Sequence, residues 1–442
     1  MTVCVKKPVQ GGTIKAIASK SEAHRLLICA ALADSETSIT CPQRSEDIDA
    51  TARSLQSMGA SLRYEGDSFL VTPIPQSPFP APQSPNPIDC GESGSTLRFL
   101  LPVCGALGLS VSFNMKGRLG ERPISALRDT MASHGCTLET SPEPLAVVRL
   151  VEGTLSGGSS LTCEGKLTHG KYTLPGNVSS QFVSGLLFAL PLLRGESIIR
   201  VTNDLESRPY IDMTLDTLRL FGITIAEEEA QVFRIPGGQT MRSPGKAGAS
   251  GDWSNAAFWL SAGAIGKSAV TCTGLDQGSR QGDRAIVELL ERFGAVVTRK
   301  HDAVTVSPGA LLGTEIDAGN TPDLVPVLAA VASVAEGKTV IRNAARLRIK
   351  ESDRLHTVAL TLSALGADIR EIEDGLVING KKTLTGGEIQ SHGDHRIAMT
   401  AAILSAACTA PVIIRDAGAV RKSYPAFFED FISLGGVCEY LR

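Results

Sequence analysis

Three absences narrow this 442-residue chain before any motif is read. Its ten cysteines include no C-x-x-C pair and no Cys/His spacing of a metal site, which excludes zinc ribbons and dithiol redox motifs. Most sit in apolar runs such as Leu27-Ile28-Cys29-Ala30, and so read as reduced core residues, with no metal and no cofactor expected. No apolar run reaches membrane-spanning length, and residues 1–7 carry no signal-like apolar segment, so a soluble, cytoplasmic protein without a membrane partner is expected. Nor is there an excess of positive charge. A net charge of −3 argues against a nucleic-acid partner, and any basic cluster must then be a local site.

Such clusters are what the chain does have. Arg348-Ile349-Lys350-Glu351-Ser352-Asp353-Arg354 reads as a helix start with Lys350 and Arg354 four apart on one face. That like-charge pair costs about 0.2–0.5 kcal/mol unless an anion lies between them. Lys20-Ser21-Glu22-Ala23-His24-Arg25, Asp394-His395-Arg396 and Arg421-Lys422-Ser423 are similar, each close to the start of an apolar helical run. Helix N-termini favour anions, so small substrates with several negative charges are expected.

A hydrophobic content of 43% is ample for a core, and the chain repeats itself. Helices ending in glycine and running into a strand recur at Gly59, Gly135, Gly222, Gly294, Gly366 and Gly435, at spacings of 76, 87, 72, 72 and 69 residues. Upstream of five of them lie more apolar helices, predicted over residues 95–107, 180–193, 253–264, 322–335 and 395–407. With the alternating stretches between, the unit is strand, apolar helix, strand, amphipathic helix, strand, strand, six times over. A Pro- and Ser-rich stretch over residues 73–87 reads as an exposed loop, and residues 242–251 divide three repeats from three.

Gly91-Glu92-Ser93-Gly94-Ser95-Thr96-Leu97-Arg98, Arg118-Leu119-Gly120-Glu121-Arg122-Pro123-Ile124, the Arg348 to Leu355 stretch and Asp394-His395-Arg396-Ile397-Ala398-Met399 stand in order behind Lys20-Ser21. Together they resemble the enolpyruvyl transferase family over essentially the whole chain, and within it the enzymes that act on shikimate 3-phosphate. The resemblance implies an α/β fold of two similar domains, each of three repeated units in an inverse α/β barrel-like arrangement, with the active site in the interdomain cleft. Residues 20–248 would form one domain, on the shikimate 3-phosphate side, and residues 1–19 with 249–442 the other. It further implies a monomer that transfers the enolpyruvyl group of phosphoenolpyruvate to the 5-hydroxyl of shikimate 3-phosphate, with glyphosate as inhibitor.

By the same resemblance, phosphoenolpyruvate would be held by Lys20, Gly94, Arg122, Gln181, Arg354, Arg396 and Lys422, with Arg354 and Arg396 as forks for its carboxylate. Shikimate 3-phosphate would be held by Lys20, Ser21, Arg25, Ser179, Ser180, Gln181, Ser207, Tyr210, Asp323 and Lys350. Asp323, after a Thr cap and a Pro, matches the family's base, Glu351 the acid at carbon, and Lys20 joins them as catalytic. On the residues alone other roles stay open. Asp323 reads also as a first-turn acid, Glu351 as an ion-pair partner of Lys350 or Arg354, Ser179-Ser180-Gln181 as a capping sequence, Arg122 as a surface residue beside Glu121, and His395 as a prop for Arg396. The chain departs from the family at Glu92, where Asn is frequent, at Phe99, where Pro is frequent, and at Arg346, where many members have Asn. A carboxylate at position 92 must turn away from any phosphate or pair with a cation such as Arg98. The rivals are transfer to UDP-N-acetylglucosamine, for which the loop over residues 116–124 lacks the sister enzyme's Cys, RNA-end processing, and non-catalytic binding of a phosphate ester.

Overall fold

The computed structural model describes residues 1–75, 87–142 and 158–441; most of the loop expected over residues 73–87 lies outside them. Among the described residues, six four-stranded sheets are built to one plan. In one, Lys171–Pro175 is followed by the apolar helix Ser180–Ala189 and a parallel neighbour, Ser197–Thr202. The amphipathic helix Arg208–Leu220 then leads to the hairpin of Ala226–Glu229 and Val232–Ile235, whose second strand pairs antiparallel with Ser197–Thr202. A parallel pair requires a crossover and an antiparallel pair only a turn, so this order of elements dictates the sheet. The unit is the one expected from sequence.

All six repeat glycines have positive φ, from 77° to 103°. An L side chain is strained there, which is why each amphipathic helix stops at the same relative place. Some apolar helices are shorter than their apolar runs. Pro191 follows Ser180–Ala189 in a single 3-10 turn, Pro322–Leu324 is such a turn before the helix Val325–Ala332, and Ser405–Ala407 another after His395–Leu404.

Two compact units result, Met1–Ser19 with Ser250–Arg442, and Lys20–Ala249. In the first, Thr2–Lys7 pairs with Val412–Arg415 and Val437–Leu441, and Gly12–Lys15 runs parallel to Val270–Thr273. In the second, Lys246–Gly248 runs parallel to Thr37–Thr40. Each unit thus completes a sheet with strands far apart in sequence. In the first unit the apolar helices Trp253–Ile265, Val325–Ala332 and His395–Leu404 pack on one another and are buried almost throughout. Charged groups are confined to their N-terminal ends, where Asp252 and Asp394 cap two of them and Asp323 lies on the turn before the third. None of the ten cysteines is paired, and eight are buried.

Candidate active site

In the unit containing the C-terminal half, one helix start organises the charges. Asp394 is fully buried; its carboxylate accepts Arg396 N–H at 2.9 Å, Arg354 Nε at 2.8 Å and Nη2 at 3.3 Å, and Ser352 Oγ at 3.1 Å. Arg354, 1% exposed, also donates from Nη1 to Asp323 Oδ1 at 3.0 Å and from Nη2 to Glu351 Oε2 at 2.5 Å. Arg396 Nη2 donates to Asp323 Oδ2 at 3.0 Å, and Lys350 Nζ lies 3.8 Å from Asp323 Oδ1. Three carboxylates therefore alternate with three cations. Lys422 Nζ donates to the Gly393 carbonyl at 2.6 Å, which brings it to the same helix start.

Asp323 keeps a 21% exposed side chain amid this charge. Burial alone would raise its pKa, but Arg396, Lys350 and Arg354 outweigh burial and hold it well below the usual carboxylate range. It is an anion that the cations already hold.

That geometry corrects the helix-face pair expected at Lys350 and Arg354. The helix starts only at Arg354, because the Asp353 side chain caps it by accepting His356 N–H, while Ala345–Ile349 is a 3-10 turn and Lys350 is extended. Arg348 fixes the turn by donating to Glu371 at 2.5 Å and to the Ile372 carbonyl at 2.8 Å. The anion inferred between Lys350 and Arg354 exists, but it is Asp323. Thr321 makes no side-chain capping bond, so the cap expected before Asp323 is absent, and Arg346 Nη2 instead ties down that loop at the Gly319 carbonyl, 2.7 Å away.

Around Gly94, in the other unit, a Cβ would lie 2.6 Å from Arg98 Nη1 and 2.8 Å from Arg122 Nη1. Only glycine admits two guanidinium groups so close to the backbone. Arg98, buried, donates to Gln181 Oε1 at 3.1 Å and to the Pro123 carbonyl at 3.1 Å, and Gln181 Nε2 donates to Ser95 Oγ at 2.9 Å. Ser179 caps the helix that Ser180 and Gln181 open. Arg25 donates to Thr214 Oγ1 at 2.9 Å and to the Ser21 and Tyr210 carbonyls at 2.7 and 2.8 Å, with its guanidinium 5.1 Å from the Phe99 ring. Burial pushes Arg25 down to about 10, so it stays charged at neutral pH. Ser207 precedes the helix Arg208–Leu220 in a left-handed conformation, φ 55°. Lys20 Nζ meets Asp47 Oδ2 at 2.8 Å. The Glu92 carboxylate lies against Gly117, and Glu121 pairs with Arg118 at 3.1 Å.

The family model for EPSP synthase (3-phosphoshikimate 1-carboxyvinyltransferase) matches residues 5–431. The chain belongs to the EPSP synthase family. It is 45% identical over 432 residues to the 3-phosphoshikimate 1-carboxyvinyltransferase of Clostridium kluyveri, covering 96% of this chain and 95% of that one. The protein of the same name from Clostridium perfringens is 43% identical over 430 residues, 96% of each chain. An EPSP synthase structure from Acinetobacter baumannii superposes with a TM-score of 0.80 at 26% identity, covering 100% of both chains. The enolpyruvyl transferase NikO from Streptomyces tendae, at 20% identity, TM-score 0.75 and coverage of 100% of this chain and 98% of that one, shares the fold.

Asp47, Asp283 and Asp394 carry no role in the sequence motifs, and Arg98 carries one only as a candidate partner for Glu92. Asp394 stands in a cationic stretch of sequence, yet an Asp directly before an apolar helical run is a capping signal. Asp47, Arg98 and Asp283 gave no such signal. Each meets its partner within its own unit, Lys20, Gln181 and Ser254 respectively, through packing of elements distant in sequence.

Proposed function

We propose that the chain transfers the enolpyruvyl group of phosphoenolpyruvate to the 5-hydroxyl of shikimate 3-phosphate and releases phosphate, a step of aromatic amino acid biosynthesis. In the addition half, the hydroxyl oxygen bonds to C2 of phosphoenolpyruvate, its proton passes to a base, and C3 takes a proton from an acid. In the elimination half, C3 returns a proton and the C2–O bond to phosphate breaks.

The observation that carries this mechanism is the Asp323 carboxylate shared among Arg354, Arg396 and Lys350. A substrate anion arriving at Arg396 competes with Asp323 for the same donors. As it wins, Asp323 loses the charges that depress its pKa and becomes a base able to take the hydroxyl proton. Glu351, held on Arg354, is the acid at C3, and Arg354 fixes both carboxylates relative to each other. The cations of this unit that hold phosphoenolpyruvate are Arg354, Arg396 and Lys422; Lys350 and Asp323 address shikimate 3-phosphate. In the other unit Gly94, Arg122 and Gln181 hold phosphoenolpyruvate. Ser21, Arg25, Ser179, Ser180, Ser207 and Tyr210 hold shikimate 3-phosphate, and Lys20 serves both and the chemistry. Arg25 and Tyr210 are already joined, which supports a preformed pocket.

We infer further that glyphosate competes with phosphoenolpyruvate, and that the protein works in the cytoplasm as a monomer. No helix among the described residues is long and apolar enough to cross a membrane. The test is phosphate release on mixing both substrates. It should require both, and it should be lost in Asp323→Asn; release from phosphoenolpyruvate alone would refute the assignment.

A further inference from the structure

A line of buried polar side chains crosses the core of the Lys20–Ala249 unit, and the proposed chemistry gives it no task. His24 Nδ1 lies 2.7 Å from Thr51 Oγ1, Thr51 Oγ1 lies 2.6 Å from Thr96 Oγ1, and the Thr96 hydroxyl donates to Ser93 Oγ at 2.7 Å. All four residues are buried. They join three helices, Lys20–Ala31, Glu46–Ser57 and Gly94–Leu107, with Ser93 as the cap of the last. Burying three hydroxyls and an imidazole is costly unless they satisfy one another, so the line is more than helix packing alone requires.

The proton count sets its direction. A hydroxyl has one proton to give. Thr96 spends its own on Ser93, so between Thr51 and Thr96 it is Thr51 that donates. Thr51 then has none left for the imidazole, and His24 donates from Nδ1. A second ring proton would have no acceptor, because Nε2 is buried and has no hydrogen-bond partner among the described residues. Burial, with the positive charges of Lys20 and Arg25, also holds His24 well below the ordinary histidine range. The line therefore runs one way, from a neutral His24 to Ser93 Oγ, which accepts the Thr96 hydroxyl and, at 3.3 Å, the Thr96 N–H.

Its two ends lie next to helix starts of the proposed site. Lys20 stands four residues before His24 and Asp47 four before Thr51, each on the same helix face, and Lys20 pairs with Asp47 at 2.8 Å. Two rungs thus join the first two helices, an ion pair at the edge and the His24–Thr51 bond inside. The inner rung continues to the turn that opens with Gly94. Arg25 is anchored separately, on Thr214 and on the Ser21 and Tyr210 carbonyls.

We infer that His24 is a positioning residue for the Gly94 helix start: its Nδ1 proton orders the hydroxyls of Thr51 and Thr96, which hold the Ser93 cap and so fix the backbone of the turn that receives the substrate anion. This rests on Gly94 holding phosphoenolpyruvate as proposed above. Breaking the line lets that turn shift while the anchors of Arg25, on the shikimate 3-phosphate side, stay in place.

The experiment measures KM for both substrates and kcat in the full-length protein, for the parent, His24→Leu, His24→Asn and Thr51→Val, with Gly94→Ala as the control on the site itself. Leu removes the donor, whereas the amide of Asn can offer an N–H close to where Nδ1 stands. Val keeps the shape of Thr and removes the hydroxyl in the middle of the line. His24→Leu and Thr51→Val should raise KM for phosphoenolpyruvate roughly three- to tenfold and leave that for shikimate 3-phosphate within about twofold of the parent's. His24→Asn should stay within about twofold of the parent for both. Equal rises for the two substrates, or a lowered melting temperature with both KM values unchanged, would mean that the line only stabilises the fold, and either overturns the proposal. So does His24→Asn as impaired as His24→Leu, since the donated proton is then not what matters. If Gly94→Ala alters neither KM for phosphoenolpyruvate nor inhibition by glyphosate, the site reading fails instead. Should His24→Leu not fold, Thr51→Val decides by itself.

Discussion

Replacing Asp394 by Asn changes one atom and one charge at the point where Arg354, Arg396 and Ser352 converge. The amide oxygen can still accept the Arg396 N–H, but the amide nitrogen then faces Arg354, a donor, and cannot accept from it. Removing one partner of a buried ion pair costs about 3–5 kcal/mol. Arg354 keeps Asp323 and Glu351, so the loss here should lie towards the lower end, at roughly 2–4 kcal/mol. In a unit of this size each kcal/mol moves the melting temperature by about 2–4 °C, so a fall of roughly 4–16 °C is expected. The assay is calorimetric melting at neutral pH in low and high salt. Because Asp394 is wholly buried, the shift should persist in high salt, whereas the exposed Arg299–Glu291 pair should matter little and be screened. A shift under 2 °C would mean that Asp394 is only a helix cap and that the three-acid, three-cation balance is not what holds Arg354.

Asp323→Asn and Glu351→Gln should each lower turnover by roughly 10²–10⁴-fold while binding of both substrates survives in equilibrium titrations; near-normal turnover in either removes that carboxylate from proton transfer. Gly94→Ala should leave the fold intact but displace the tips of Arg98 and Arg122, weakening glyphosate more than phosphoenolpyruvate; equal rises in Ki and KM would defeat the steric account. The depressed pKa of Asp323 means that the unfolded chain binds more protons there. Its stabilisation is thus complete above its unfolded value of about 4 and lost as pH falls towards its folded value. Acid unfolding of Asp323→Asn should therefore be flatter than the parent's below pH 4 or so, and parallel curves would contradict the ion pairing. Gly294→Ala, at φ 100° and with a Cβ only 2.3 Å from the Ala310 carbonyl, should cost at least about 1–2 kcal/mol in denaturant melts, with activity per folded molecule unchanged.

Glycine spacing made the repeat legible, because a helix stop at positive φ can hardly be made by another residue, and the apolar helices followed from their composition. Pairing was not legible in the same way. Nothing local in Gly12–Lys15 or Lys246–Gly248 says which distant strand each will join, since strands so short carry too little pattern to choose a partner. The site divided along the same line. Arg354 and Asp323 stood out by residue type, yet that Asp323 is the anion between Lys350 and Arg354 depended on the packing of helices some thirty residues apart.

The repeat also places one kind of residue at one kind of position, and the two units differ there. Where the unit completed by the N-terminal strands has Asp252, Asp323 and Asp394 at or just before the starts of its apolar helices, the other has Ser93 and Ser179 as caps of two of its own. A serine leaves the positive end of a helix uncompensated, and an anion can use it; an aspartate fills that end with a charge of its own. On this division the serine unit is suited to hold phosphate directly. On the mechanism proposed above, the aspartate unit admits a substrate anion by releasing one of its own carboxylates from a cation, and the carboxylate so released serves as the base.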